Sequence, residues 1–243
     1  MLEIYTGKRK RAISKLLIMK NGYFVTATGT DVGKTFVTGL LVKKWRDSGI
    51  DAGYYKAALS GAEFRNGDWV PGDADYVKNF AGLSDSYGEM VSYVYREAVS
   101  PHLAARKEGN PVELSVVKKA FERASERHSF VFVEGSGGIV CPIRSDDSPN
   151  GKEIFLEDIV KTVELPLLIV TTAALGAINA CVLTVEYAKS RDLEIRGILV
   201  NRFGDSGNRE MEEDNVRMMQ KITGLEILAK IKTGDKDLGV SPF

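Results

Sequence analysis

A chain of 243 residues has room for one α/β domain with a sizeable core. Its 33 basic residues balance 33 acidic ones, which removes any global electrostatic case for nucleic acid or an anionic membrane as partner. Two cysteines, Cys141 and Cys181, provide neither a metal-ligand spacing nor a disulfide framework, and they read as small buried apolar residues in a reducing cytoplasm.

The first segment is basic, Lys8-Arg9-Lys10-Arg11, and the apolar stretch after it is too short and too interrupted for a signal peptide. Residues 1–20 are expected to be a disordered extension, with residues 1–18 dispensable for nucleotide binding, ahead of one domain over residues 21–243. No run approaches the roughly 20 apolar residues of a membrane span.

The first strand is predicted over residues 23–28, and Gly29-Thr30-Asp31-Val32-Gly33-Lys34-Thr35 follows it as a phosphate-binding loop. Backbone N–H groups at a helix start would surround phosphate oxygens, with Lys34 reaching the β/γ-phosphates and the Thr35 hydroxyl ligating Mg²⁺. The leading glycine of the common G-x-x-x-x-G-K-[ST] pattern would fall at Thr28, or at Ala27 in a form one residue longer. Neither position is glycine. An amphipathic helix over 35–47, stopped at Gly49, supplies the context that such a loop needs.

A second strand is expected over 52–56, then a long loop over 60–72. Further along come a helix over 113–127, a central strand over 130–134, strands over 167–171 and 198–201 flanking a helix over 178–191, a helix over 208–223 and a weaker strand over 226–230. This alternation predicts an α/β fold: a doubly wound, mostly parallel sheet of the phosphate-loop NTPase kind.

Three polar residues fall at strand ends on the phosphate-loop edge: Lys56, Glu134 and Asn201. Glu134 follows four apolar residues and precedes Gly135-Ser136-Gly137-Gly138, which suits a Mg²⁺ ligand beside Thr35 better than a surface carboxylate. Asp73 is a second candidate ligand, although it reads equally as a helix N-cap and Asp75 could serve in its place. Lys56 either holds developing negative charge or snorkels from the strand terminus. His102 is a candidate base whose bland reading is a structural histidine, and His128 is expected to be solvated.

Taken together, Thr30–Thr35, Gly53-Tyr54-Tyr55-Lys56 with Ser60-Gly61, Asp73-Ala74, Ser100-Pro101-His102, Glu108-Gly109, Val133 to Gly138, Leu175 to Asn179, and Val200-Asn201 resemble the dethiobiotin synthetase family. The resemblance implies a homodimer that uses ATP, Mg²⁺ and CO₂ to close 7,8-diaminopelargonate into a cyclic urea. It implies that Asp31, Val32, Gly33, Lys34, Thr35 and Phe36 hold the phosphates and that Thr35, Asp73 and Glu134 hold Mg²⁺. Lys56 and Lys34 would be catalytic, Ser60 would meet the substrate, and Asn201 would meet the adenine edge. Gly135, Ser136, Gly137 and Arg202 would complete the nucleotide contacts. Leu175, Gly176, Ala177 and Asn179 would receive the substrate carboxylate across the dimer interface.

Three departures from the family pattern stand out. Ala27 replaces the first loop glycine, so the loop is expected to sit slightly differently. Ala57 replaces a common proline, and Ile231-Lys232-Thr233 replaces an isoleucine-proline pair near the adenine side. Rival readings are a regulatory ATPase of the Min/Par type, which carries a second lysine early in its loop where this chain has Thr28, Gly29 and Thr30, and the synthetase-like domain of cobyrinate amidotransferases, for whose glutaminase the chain leaves no room. A relative that binds nucleotide without catalysis is the third.

Overall fold

Strand runs as apolar as Phe130–Glu134 are stable only with both faces covered, and the architecture covers them with helices on each side. The computed structural model describes residues 21–148 and 151–243, so the basic segment 1–20 lies outside the described residues. In chain order the elements are β1 (Gly22–Ala27), α1 (Lys34–Asp47), β2 (Ala52–Ser60), β3 (Glu63–Arg65), β4 (Asp68–Val70), α2 (Gly72–Ala81), α3 (Tyr87–Met90), β5 (Val91–Tyr95), α4 (Pro101–Lys107), α5 (Leu114–Arg127), β6 (Phe130–Glu134), β7 (Pro142–Ser145), β8 (Glu153–Phe155), α6 (Leu156–Val163), β9 (Leu167–Thr171), α7 (Ala177–Ser190), β10 (Ile195–Val200), α8 (Arg209–Thr223) and β11 (Ile227–Lys230).

Seven strands form one sheet in the order β11-β10-β9-β1-β6-β2-β5, and every pairing in it is parallel. Successive strand residues point to opposite faces, so one chain run feeds two cores. Val25, Tyr54 and Phe132 pack with Leu40, Leu41 and Trp45 of α1 and with Ala74 and Val77 of α2. Their neighbours Phe24, Tyr55, Val131 and Val133 pack on the other face with Phe121 of α5 and Ile159 of α6. A third cluster joins Ile169 and Ile198 to Val185 of α7 and Met219 of α8.

The doubly wound parallel sheet expected from the sequence is therefore present, with β6 and β9 at the predicted bounds. Four features differ. Strand β2 runs four residues past Lys56 to Ser60, so this lysine is inside a strand and not at its end. Part of the expected 60–72 loop is a hairpin, β3–β4, turning at Asn66 (φ 53) and Gly67 (φ 88). These left-handed values are those of a type I′ turn, for which Asn-Gly is a strong signal. The edge strand β5 and the β7–β8 hairpin were not anticipated.

His128 is the fourth. It is 11% exposed, with Nδ1 3.0 Å from Asp51 Oδ1 and Nε2 3.0 Å from Asp85 Oδ1, at the amino-terminal edge of β2 and β6. Burial alone would raise the Asp85 carboxyl, but hydrogen bonds from His128 and Arg127 outweigh it and hold the group below its ordinary value of 3.8. The imidazole packs against Gly53: a Cβ added there would lie 2.1 Å from His128 Cδ2.

Gly53→Ala is expected to cost about 1–3 kcal/mol of unfolding free energy by forcing the ring away. In urea denaturation, combining it with His128→Ala should cost less than the sum of the two changes; strict additivity would refute the contact. For Asp85, a depressed folded pKa contributes stability that is present above the unfolded value and lost as pH falls through the folded one. Asp85→Asn should therefore be less stable than the parent near about pH 5, with the gap closing as pH falls through and below the ordinary carboxylate range.

Candidate active site

Parallel strands deliver their carboxyl ends to one edge, and there a cleft of about 920 Å³ opens between the phosphate loop, β2, β6 and the start of α4. Its lining includes Thr30, Asp31, Gly33, Lys34, Thr35, Phe36, Lys56, Ser60, Asp73, Glu134, Ser136, Gly137 and Arg202. Most residues singled out from the sequence thus converge on one space.

The phosphate loop leaves β1 and enters α1 through two left-handed residues, Asp31 (φ 59) and Gly33 (φ 92). Gly33 could carry no side chain: a Cβ would meet Asn201 Nδ2 at 2.2 Å. Asn201, buried just past β10, donates to Val32 O at 2.9 Å and braces the loop from behind, while its Oδ1 is buried without a partner. Ala27 ends β1 with no positive φ, so strand geometry, which any residue adopts, is all that this position demands.

Beside the loop lies a cluster of opposite charges. The parallel register of β2 and β6 pairs Lys56 with Glu134. Lys56 Nζ donates to Glu134 Oε1 at 2.7 Å and to Asp73 Oδ2 at 2.6 Å, with the Gly135 carbonyl oxygen at 3.4 Å. Side-chain exposure is 5% for Lys56 and 0% for Glu134. Burial favours the neutral amine, yet the two carboxylates outweigh it and hold Lys56 above the ordinary lysine range. The same balance runs the other way at Asp73, where burial is outweighed by Lys56 and by a hydrogen bond from Thr35, and the carboxyl is held below its ordinary range. Lys34, also buried, is lowered by desolvation and then by Lys56.

Thr35 Oγ1 stands 3.0 Å from Asp73 Oδ1 and 2.9 Å from Glu134 Oε1. The Thr35 hydroxyl has one proton for two acceptors, so even with Lys56 bonded to Glu134 Oε1 and Asp73 Oδ2 this corner keeps oxygen lone pairs that no hydrogen fills. Such a donor set fits Mg²⁺, which takes one or two carboxylates and completes its shell with phosphates and water. Asp73 lies inside α2, whose N-cap is Pro71, so the N-cap alternative for it is corrected. Asp75 instead pairs with Arg65 and Tyr87 and does not line this cleft.

Several readings are revised or bounded. His102 lies outside the cleft, lining a separate pocket with Arg106 and Arg144, so it is not positioned as a base for chemistry at Lys56. Both cysteines are free and buried. The Cys181 thiol is pushed up to about 12 by burial. Cys141 does line the cleft, but burial raises its thiol against the pull of Lys34 and Lys56, so it is a wall and not a nucleophile. Ser136 spends its hydroxyl on Ala58 O at 2.6 Å. Leu175, Gly176, Ala177 and Asn179, at the start of α7, do not line the cleft of a single chain.

Sequence reasoning missed Tyr76 and Val99, which complete the wall, and Tyr54. Tyr54 OH donates to Glu134 Oε2 at 3.1 Å, and burial, then Glu134, keeps the phenol well above its ordinary pKa and protonated. Its signal was available: Tyr54 stands two residues before Lys56 and so shares its face.

A family model described as an AAA domain matches residues 21–236. The chain is 50% identical over 216 residues, 89% of its length and 94% of the relative's, to ATP-dependent dethiobiotin synthetase BioD of Brachyspira hyodysenteriae. It is 43% identical over 213 residues to the protein of the same name from Clostridium novyi, covering 88% of this chain and 87% of that one. Among solved structures, the MinC:MinD cell division protein complex of Aquifex aeolicus superposes with a TM-score of 0.51 at 15% identity, covering 89% of this chain and 83% of the other, a likeness of fold alone.

Proposed function

The chain belongs to the ATP-dependent dethiobiotin synthetase family, and on that premise we propose how its own residues carry out the reaction of that family. It is an ATP-dependent cyclo-ligase of biotin biosynthesis, which closes the ureido ring of dethiobiotin from 7,8-diaminopelargonate and CO₂. One amine of the substrate takes up CO₂ as a carbamate, the γ-phosphoryl of ATP passes to the carbamate oxygen, and the second amine attacks the carbonyl and expels phosphate.

Every species along this path is anionic, and phosphoryl transfer is chiefly positioning and charge stabilisation. Lys34 and Lys56 supply fixed positive charge beside the reacting carbamate and phosphate. The backbone from Asp31 to Phe36 cradles the phosphates, with Ser136 and Gly137 on the facing wall and Gly135 behind them offering its carbonyl to Lys56. Thr35, Asp73 and Glu134 hold Mg²⁺, which when bound neutralises charge on the phosphate oxygens. Ser60 contacts the substrate, and Asn201 with Arg202 meets the nucleoside end. Arg202 lines the cleft in a left-handed backbone conformation (φ 55), the kind of local strain that clusters at ligand sites. The observation that carries this reading is the convergence of Thr35, Lys56, Asp73 and Glu134 within 3.0 Å contacts at the phosphate loop.

The enzyme works as a cytoplasmic homodimer in which residues 175–179 of one copy receive the substrate carboxylate at the other's cleft. The exposure of Leu175 (88%) and Leu183 (62%) on α7 and its leading turn supports burial of this surface against a second copy. Among the described residues no helix is long and apolar enough to cross a membrane.

Phosphate release from ATP, Mg²⁺ and bicarbonate should depend strongly on 7,8-diaminopelargonate, and release indifferent to the diamine would overturn the ligase assignment in favour of a regulatory ATPase. Lys56→Ala should lower kcat by about a hundredfold or more while nucleotide binding, read by calorimetry, persists. An unchanged kcat would return Lys56 to a structural role.

A further inference from the structure

Glu134 is asked to use its two carboxylate oxygens differently. Oε1 faces Thr35 Oγ1 at 2.9 Å and Lys56 Nζ at 2.7 Å, while Oε2 points away and accepts from Tyr54 OH at 3.1 Å. Among the described residues the second oxygen has no other hydrogen bond, and both side chains are buried, with Tyr54 2% and Glu134 1% exposed. Lys56 and Thr35 hold Oε1 from the cleft side, and the broad last torsion of a carboxylate is fixed independently of them only when something also pins Oε2.

The sheet register supplies the pin. Tyr54 is paired with Phe132 and Lys56 with Glu134, so on the α1-facing side Tyr54 is the diagonal neighbour of Glu134. A tyrosine reaches across this diagonal where a shorter residue would not. The side chain packs with Phe132, Leu40 and Leu41 in the core, so its hydroxyl is delivered from a rigid base. Its neighbour Tyr55 faces the opposite core and bonds Ser92 Oγ at 2.7 Å, with no part in the cleft.

We infer that Tyr54 is a positioning residue: by holding Oε2 it turns Oε1 of Glu134 toward Thr35 and fixes the metal-binding corner before nucleotide arrives. The inference rests on the assignment of Glu134 as a magnesium ligand and extends it to the residue that orients the ligand, as outer partners of metal-binding carboxylates do elsewhere.

Calorimetric titration of ADP with Mg²⁺ and with EDTA in its place isolates the effect. Tyr54→Phe, which removes one oxygen atom, should weaken ADP binding about tenfold in Mg²⁺ and leave it unchanged in EDTA. In turnover it should lower kcat about tenfold with the diamine KM within about twofold. Tyr55→Phe should alter none of these. Equal weakening with and without Mg²⁺, or no weakening in Mg²⁺, overturns the inference. Glu134→Gln separates the two ideas. If that variant keeps the full magnesium effect, the ligand assignment itself falls; if it loses the effect and Tyr54→Phe does not, only the positioning role falls. Should Tyr54→Phe not fold, the double variant Tyr54→Phe/Glu134→Gln is compared with Glu134→Gln alone, where no further loss is expected and any further loss of magnesium-dependent binding counts against Tyr54 acting through Glu134.

Discussion

An ammonium buried between two carboxylates is the interaction on which the rest of this edge depends. Taking Lys56 and Glu134 out of water costs several kcal/mol per ion, and only close, multiple contacts offset that. Here Lys56 has three acceptors, Glu134 has Lys56, Thr35 and Tyr54 as donors, and Asp73 closes the cluster from α2. Such a group is poor as a source of stability, since an apolar replacement would cost less to bury. Its retention at the mouth of a phosphate-binding loop makes sense if the charges are needed there when an anion enters.

The sheet is what makes the cluster affordable. Because β2 and β6 are parallel and in register, Lys56 and Glu134 start at neighbouring positions on one face, and neither side chain has to search for the other. Helices α1 and α2 then cover that face and contribute polar residues near their own starts, Lys34 and Thr35 from α1 and Asp73 from α2, to a surface that is otherwise apolar. The two most deeply buried charges of the site are therefore set by strand pairing, and the hydroxyl and second carboxylate by helix docking. A change in either packing relation would move donors apart by more than a hydrogen bond tolerates.

The strands buried on both faces were legible because β6 and β9 are continuous apolar runs, and Phe130–Glu134 and Leu167–Thr171 have the bounds read from the sequence. The polar residues gathered at this edge stood out where a polar group interrupts or ends such a run, as at Glu134 and Asn201. What escaped was whatever depends on pairing across the chain. Lys56 was placed at a strand end because nothing local reveals that β5 lies alongside and carries β2 on to Ser60. Tyr54 drew no reading of its own, since only its diagonal relation to Glu134 gives the hydroxyl a task. His128 read as solvated because its partners, Asp51 and Asp85, lie 77 and 43 residues away in sequence. The Asn66-Gly67 turn is different: its local signal was present and was absorbed into a loop rich in glycine, aspartate and proline.

The departure at Ala27 shows how a missing motif residue can matter less than the motif suggests. A glycine is indispensable where φ is positive or where another atom occupies the place of its Cβ, and both conditions hold at Gly33, which faces Asn201. Neither holds at Ala27, whose backbone is still strand. The constraint on this loop thus acts from behind, through Asn201 and its bond to the Val32 carbonyl, more than from the residue that begins it. A parallel sheet with a loop over its edge supports a switch or a synthetase equally well, and the chemistry is decided one strand further on, where the register sets Lys56 against Glu134.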